Sequence, residues 1–121
     1  MAKKILVIDD ELDVLQMVVF ILKKNGFAVI SATGGQEAID LAYKEKPDLI
    51  ILDLWLPDMD GAEVSRRLKA DDNLRNIPII LFTASAEMIE DRVKECNAND
   101  YLLKPFEYQE LLDKVAKRLN R

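Results

Sequence analysis

The 121-residue chain contains no histidine, which excludes histidine-ligated metal sites and serine–histidine catalysis. It has one cysteine, Cys96, so no internal disulfide can form, and a reducing cytosol is the expected compartment. Cys96 itself reads as small apolar filler near a helix end. No apolar run approaches the length of a membrane span. Ile5-Leu6-Val7-Ile8, after Lys3-Lys4, is too short for the hydrophobic region of a signal peptide, and Asp9-Asp10-Glu11 closes it. Positive charge is in deficit, with a net charge of −5, which argues against a direct role on nucleic acid or at an anionic membrane.

What is present is an ordinary globular balance, 50% hydrophobic and 32% charged, in a length suited to one domain over residues 1–121. Strand and helix patterns alternate without a break. Ile5–Ile8 reads as a buried strand, followed by a helix from about Leu12 to Asn25 that Gly26 ends. Phe27–Ser31 is a weaker strand, and a helix from about Gln36 to Glu45 stops before Pro47. Leu49–Leu52 is a continuous aliphatic run, as a strand buried on both faces requires. A helix follows Gly61 to about Lys69, then a strand over Ile79–Phe82 and a helix from about Glu87 to Glu95. A short strand at Tyr101–Leu103, Pro105 and a helix from Tyr108 to Leu119 complete the chain. Five β–α units with short, right-handed connections predict an α/β fold: a five-stranded doubly wound parallel sheet in the order 2-1-3-4-5, flavodoxin-like (βα)5.

In that order strands 1 and 3 are neighbours, so Asp9 and Asp10 after the first meet Asp53 after the third. Three converging carboxylates repel unless a cation joins them. An oxygen-only donor set points to magnesium, with manganese or calcium as substitutes. Thr83 and Lys104 end the fourth and fifth strands and bring a hydroxyl and an ammonium to the same edge. Three carboxylates and one ammonium leave two negative charges, which one divalent cation would neutralise. Such a site suits an anion attached covalently to one of its own carboxylates.

Four segments in this order carry a resemblance: Val7-Ile8-Asp9-Asp10-Glu11, Asp53 with Leu56-Pro57-Asp58-Met59-Asp60-Gly61, Thr83-Ala84, and Asp100-Tyr101-Leu102-Leu103-Lys104-Pro105-Phe106. Together they resemble the receiver domain of two-component response regulators over essentially the whole chain. The resemblance implies that Asp53 accepts a phosphoryl group from a phosphohistidine on a sensor histidine kinase or a histidine phosphotransferase. It implies Mg2+ on Asp10, Asp53 and the backbone carbonyl of Trp55, with Asp9 helping through water. Lys104 would pair with the phosphoryl oxygens, Thr83 would hydrogen-bond one of them, Tyr101 would change rotamer, and Pro105 would follow a cis peptide bond. A downstream effector would bind the face of helix 4, strand 5 and helix 5. The protein would catalyse its own phosphorylation and dephosphorylation, turn over no external substrate, and reside in the cytoplasm.

Two departures stand out. Asn97 replaces the family's usual glycine, a change the left-handed conformation tolerates. Trp55 is bulkier than the family's usual choice and is expected to shield the acyl phosphate from water. The first helix carries Leu12, Leu15, Val19 and Leu22 at core spacing and a second apolar stripe of Val14, Met17, Val18 and Ile21. That stripe is expected to dock on kinase or phosphotransferase helices, with Val14 and Met17 central and Val18 or Ile21 completing it. Rival readings are disfavoured by particular residues: Asp9-Asp10 would repel the phosphate of a flavin, and an aspartyl-phosphate phosphatase needs a second acid where Trp55 stands.

Overall fold

A computed structural model of the chain describes residues 2–119, so the extreme ends of the expected 1–121 unit lie outside it. Five strands, β1 (Lys4–Ile8), β2 (Ala28–Ala32), β3 (Leu49–Asp53), β4 (Ile79–Thr83) and β5 (Asp100–Leu103), alternate with five helices. These are α1 (Leu12–Lys24), α2 (Gly35–Glu45), α3 (Gly61–Lys69), α4 (Ile89–Glu95) and α5 (Tyr108–Leu119). All strand pairs are parallel, in the order β2-β1-β3-β4-β5, the expected flavodoxin-like sheet.

The continuous apolar runs have a direct cause. Successive side chains of a strand point to opposite faces, and helices cover both. Ile5, Val7, Leu49, Ile51, Ile80 and Phe82 meet Leu15, Val18, Leu22, Leu111 and Val115 of α1 and α5. Their alternates Leu6, Ile8, Ile50, Leu52, Ile79 and Leu81 meet Ala38, Ala42, Val64, Leu68 and Ile89 of α2, α3 and α4. β3 and β4 are buried throughout, whereas β2, at the sheet edge, is only partly covered.

Helix ends follow local chemistry. Gly26 takes φ 90 after α1, a conformation open to a residue without Cβ. Asp60 caps α3 by accepting the Ala62 N–H at 2.8 Å. α4 begins two residues later than expected, because Met88 stands in the left-handed region at φ 55 and holds Glu87–Met88 in a turn. Asn97, also left-handed at φ 60, adopts the conformation expected of it. Among the described residues no helix is long and apolar enough to cross a membrane.

Register carries the fold's consequence for function. Ile8 pairs with Leu52, so Asp9 and Asp53 leave the sheet side by side. Asp53 pairs with Phe82 and Thr83 with Leu103, which brings Thr83 and Lys104 to the same carboxyl edge. That edge, beside the β1/β3 reversal of strand order, is where such sheets bind ligands.

Candidate functional site

Asp9, Asp10 and Asp53 each present a carboxylate oxygen within 4.8 Å of the others. Asp9 and Asp53 are buried, and Asp10 is exposed. Asp9 Oδ1 accepts the Glu11 N–H at 2.9 Å, and Asp53 Oδ1 accepts the Trp55 N–H at 3.2 Å. The remaining oxygens of Asp9 and Asp53 face Lys104, whose Nζ lies 2.7 Å from Asp9 and 3.4 Å from Asp53.

Charge balance explains the titration of the site. Burial pushes the Asp53 carboxyl up to about 6; the Asp9 charge adds to this, while the Trp55 amide and Lys104 oppose it. Burial alone would lower the Lys104 ammonium, but the hydrogen bond to Asp9 and the charges of Asp53 and Asp9 outweigh it and hold it above its ordinary value. A buried carboxylate that resists ionisation beside a second one is relieved by a divalent cation. The donor set, three carboxylates with no thiolate or imidazole, fits magnesium.

Thr83 is fully buried at the end of β4, its Oγ1 accepting the Ser85 N–H at 3.2 Å. Lys104 is steered by its backbone, which donates to Thr83 O at 2.8 Å, and by the Phe82 ring, whose centroid lies 4.7 Å below Nζ. The peptide bond before Pro105 is cis, as expected. Tyr101 is half-buried against the α2–α3–α4 side of the core, with Lys114 Nζ 5.1 Å above its ring. The five positions read from the sequence, Asp9, Asp10, Asp53, Thr83 and Lys104, therefore occupy one sheet edge.

The β3–α3 loop is held on two sides. Asp58 accepts the Gly35 and Gln36 N–H groups at 2.7 and 3.0 Å, capping α2 from outside, and those bonds hold its carboxyl below the usual range. Gly61 has no room for a Cβ, which would run into the Asp53 carbonyl. Trp55 stands 61% exposed beside a groove shared with Ser85, Met88 and Arg92.

The α1 stripe needs correction. Val18 and Ile21 are core residues, at 0% and 7% exposure, and cannot dock a partner. The helical screw places them with Leu15 and Leu22 against the sheet. Leu12, expected in the core, overhangs the sheet end at 59% exposure, and Phe20, not singled out in the sequence, is the most exposed large apolar residue of the helix at 66%. Val14 and exposed Met17 remain available. With Glu11, Ala84, Lys104, Pro105 and Phe106 they line a groove of about 460 Å³ that opens beside the lysine.

Four residues take partners that their places in the sequence do not reveal. Glu11 precedes α1 without capping it through its side chain, and its Oε1 lies 3.3 Å from Lys104 Nζ. Phe82 reads as core, and its support of Lys104 depends on the fold. Asp58 takes its partners from the start of α2, and Asp60, besides capping α3, takes Arg92 from α4.

The comparisons agree with this geometry. The family model described as the response regulator receiver domain matches residues 5–116. A protein of Chloroflexus aurantiacus J-10-fl described as a response regulator shares 35% identity over 100% of both chains, with a TM-score of 0.94. The chemotaxis response regulator CheY4 of Vibrio cholerae shares 30% identity over 98% of this chain and 100% of its own, with a TM-score of 0.92. The receiver domain of a sensor histidine kinase of Pseudomonas aeruginosa PAO1, described with a magnesium ion coordinated in its active-site cleft, shares 29% identity over 100% of both chains, with a TM-score of 0.92. A buried strand-end aspartate, two further carboxylates and a lysine on one edge, in a chain matched over nearly its whole length, lead to one conclusion: the chain belongs to the response regulator receiver domain family of two-component signalling.

Proposed function

We propose that Asp53 accepts a phosphoryl group from a phosphohistidine on a sensor histidine kinase or a histidine phosphotransferase. The observation that carries this reading is the pairing of buried Asp53 with Lys104 at 3.4 Å inside a ring of carboxylates. An Asp53 oxygen attacks phosphorus in line; the P–N bond breaks, the imidazole takes up a proton, and a mixed anhydride forms. Such transfers need little covalent help, so positioning and charge neutralisation do most of the work. The Trp55 N–H fixes one Asp53 oxygen, and Lys104 pairs with the phosphoryl oxygens. Asp10, Asp53 and the Trp55 carbonyl would hold Mg2+ (or Mn2+ or Ca2+), with Asp9 helping. When bound, the metal supplies the positive charge that the transferring oxygens require.

Thr83 then donates its hydroxyl to a phosphoryl oxygen, and Tyr101 turns into the space released. New charge beside Thr83 thereby biases a two-state element. The readout face is α4–β5–α5, offered to a protein effector rather than to nucleic acid. Water later attacks phosphorus, the P–O bond to Asp53 breaks, and inorganic phosphate leaves; the protein thus acts on itself, in the cytoplasm, with no external substrate. Val14, Met17 and Pro105 line the groove beside Lys104 and receive the kinase helices. The test is intact mass after incubation with acetyl phosphate. One phosphoryl adduct, absent in Asp53→Asn and after chelation, supports the reading; an unmodified wild-type protein opposes it.

A further inference from the structure

Helix α4, on the proposed readout face, is lightly attached. Of its seven residues only Ile89 is buried. Among the described residues, Arg92 is the one α4 side chain with a hydrogen bond or ion pair to another element. Its Nη2 lies 2.9 Å from both oxygens of Asp60. Asp60 caps α3, and its backbone forms an antiparallel bridge with Trp55, two residues after Asp53. One carboxylate thus joins α4 to the loop that leaves the candidate phosphoacceptor. The same guanidinium carries the only buried side-chain polar atom without a partner among the described residues, Arg92 Nε. Glu87 and Glu95 line the same groove, and neither has an ion-pair partner among the described residues.

We propose that Arg92 is a positioning residue: its ion pair with Asp60 is a latch that holds α4 in its resting place against the β3–α3 loop, and release lets the guanidinium turn to Glu87 or Glu95. The proposal rests on the phosphoacceptor reading for what throws the switch, though the latch itself does not need it. The two side chains are 27% and 44% exposed, so the pair is partly screened and supplies a bias rather than a lock. A bias of that size is what one ligand can overcome.

Two variants break the latch from opposite ends. Arg92→Met keeps the packing of the stem, and Asp60→Asn keeps the α3 cap, because asparagine caps as well as aspartate. Amide hydrogen exchange on the unphosphorylated protein is expected to quicken about two- to fivefold, the range of a screened ion pair, in α4 and in the 54–60 loop together. α1 and α5 should not change, and the double variant should add nothing beyond either single one. The initial rate of adduct formation from acetyl phosphate should rise by a similar factor in each single variant, again without adding. Exchange that quickens only in the mutated element, effects that add in the double variant, or an adduct rate unchanged beside wild type would each overturn the latch. A wild-type protein that takes no phosphoryl group at all sinks the phosphoacceptor reading instead, and the exchange pattern alone then decides the latch.

Discussion

The Lys104 ammonium lies 2.7 Å from the Asp9 carboxylate, an ion pair between residues 95 positions apart whose side chains are 12% and 0% exposed. Water cannot replace either partner there, so each buried charge depends on the other. Lys104→Met strands Asp9 and Asp53 without a counter-charge and is expected to cost about 2–4 kcal/mol in urea unfolding at neutral pH. Magnesium should restore much of that loss. An unchanged unfolding midpoint would mean that the carboxylates are relieved in another way.

Asp53 gives the site a pH signature. Its carboxyl is raised from 3.8 to about 6, chiefly by burial. Between those values the folded protein keeps a proton that the unfolded chain has released. Asp53 therefore destabilises the fold progressively as pH rises through that window, and fully above it. Asp53→Asn should be more stable than wild type by about 1–3 kcal/mol at about pH 7.5, with the gain vanishing toward about pH 3.5. A stability difference independent of pH would refute the assignment.

Trp55 is proposed to slow loss of the phosphoryl group. Trp55→Asn removes the ring while leaving the backbone N–H that holds Asp53, so the phosphorylated protein should decay several-fold faster when followed by intact mass after donor removal. Decay no faster than wild type would show that the exposed ring stands clear of the attacking water.

The corrected α1 face separates docking from folding. Val14→Ser with Met17→Ser should lower the thermal midpoint by only about 4 °C, because Val14 packs partly on the core, while slowing transfer from a phosphorylated histidine protein about tenfold. Val18→Ser, by contrast, buries a hydroxyl in the α1–sheet contact and should destabilise the fold by about 2–3 kcal/mol. Unchanged transfer in the double variant would remove α1 from the proposed docking surface.

The contrast between Val14 and Val18 also shows where the sequence stops being legible. The strands are readable because Ile5–Ile8, Leu49–Leu52 and Ile79–Phe82 are unbroken apolar runs, as strands covered on both faces require. Asp9-Asp10, Asp53 and Thr83 come straight after such runs and Lys104 after the short Tyr101–Leu103 strand, so strand order alone gathers them. On α1 the core face takes Leu15 and Leu22 from one apolar stripe and Val18 and Ile21 from the other, a division that the spacing of apolar residues leaves open. The late start of α4 follows from the backbone at Met88, a residue with no preference for the left-handed region. The partners of Asp58 and Asp60 are tertiary: an aspartate in a loop has the same appearance whether it faces water, the Gly35 amide or Arg92.

The most direct test is where the phosphoryl group lands. Borohydride reduces an aspartyl phosphate to homoserine, so protein treated with acetyl phosphate and magnesium, then reduced and digested, reports its acceptor by peptide mass. Homoserine at position 53 alone, lost when magnesium is chelated, is the expected result. Homoserine at position 9 or 10, or none at position 53 under conditions that phosphorylate another receiver, would contradict the account.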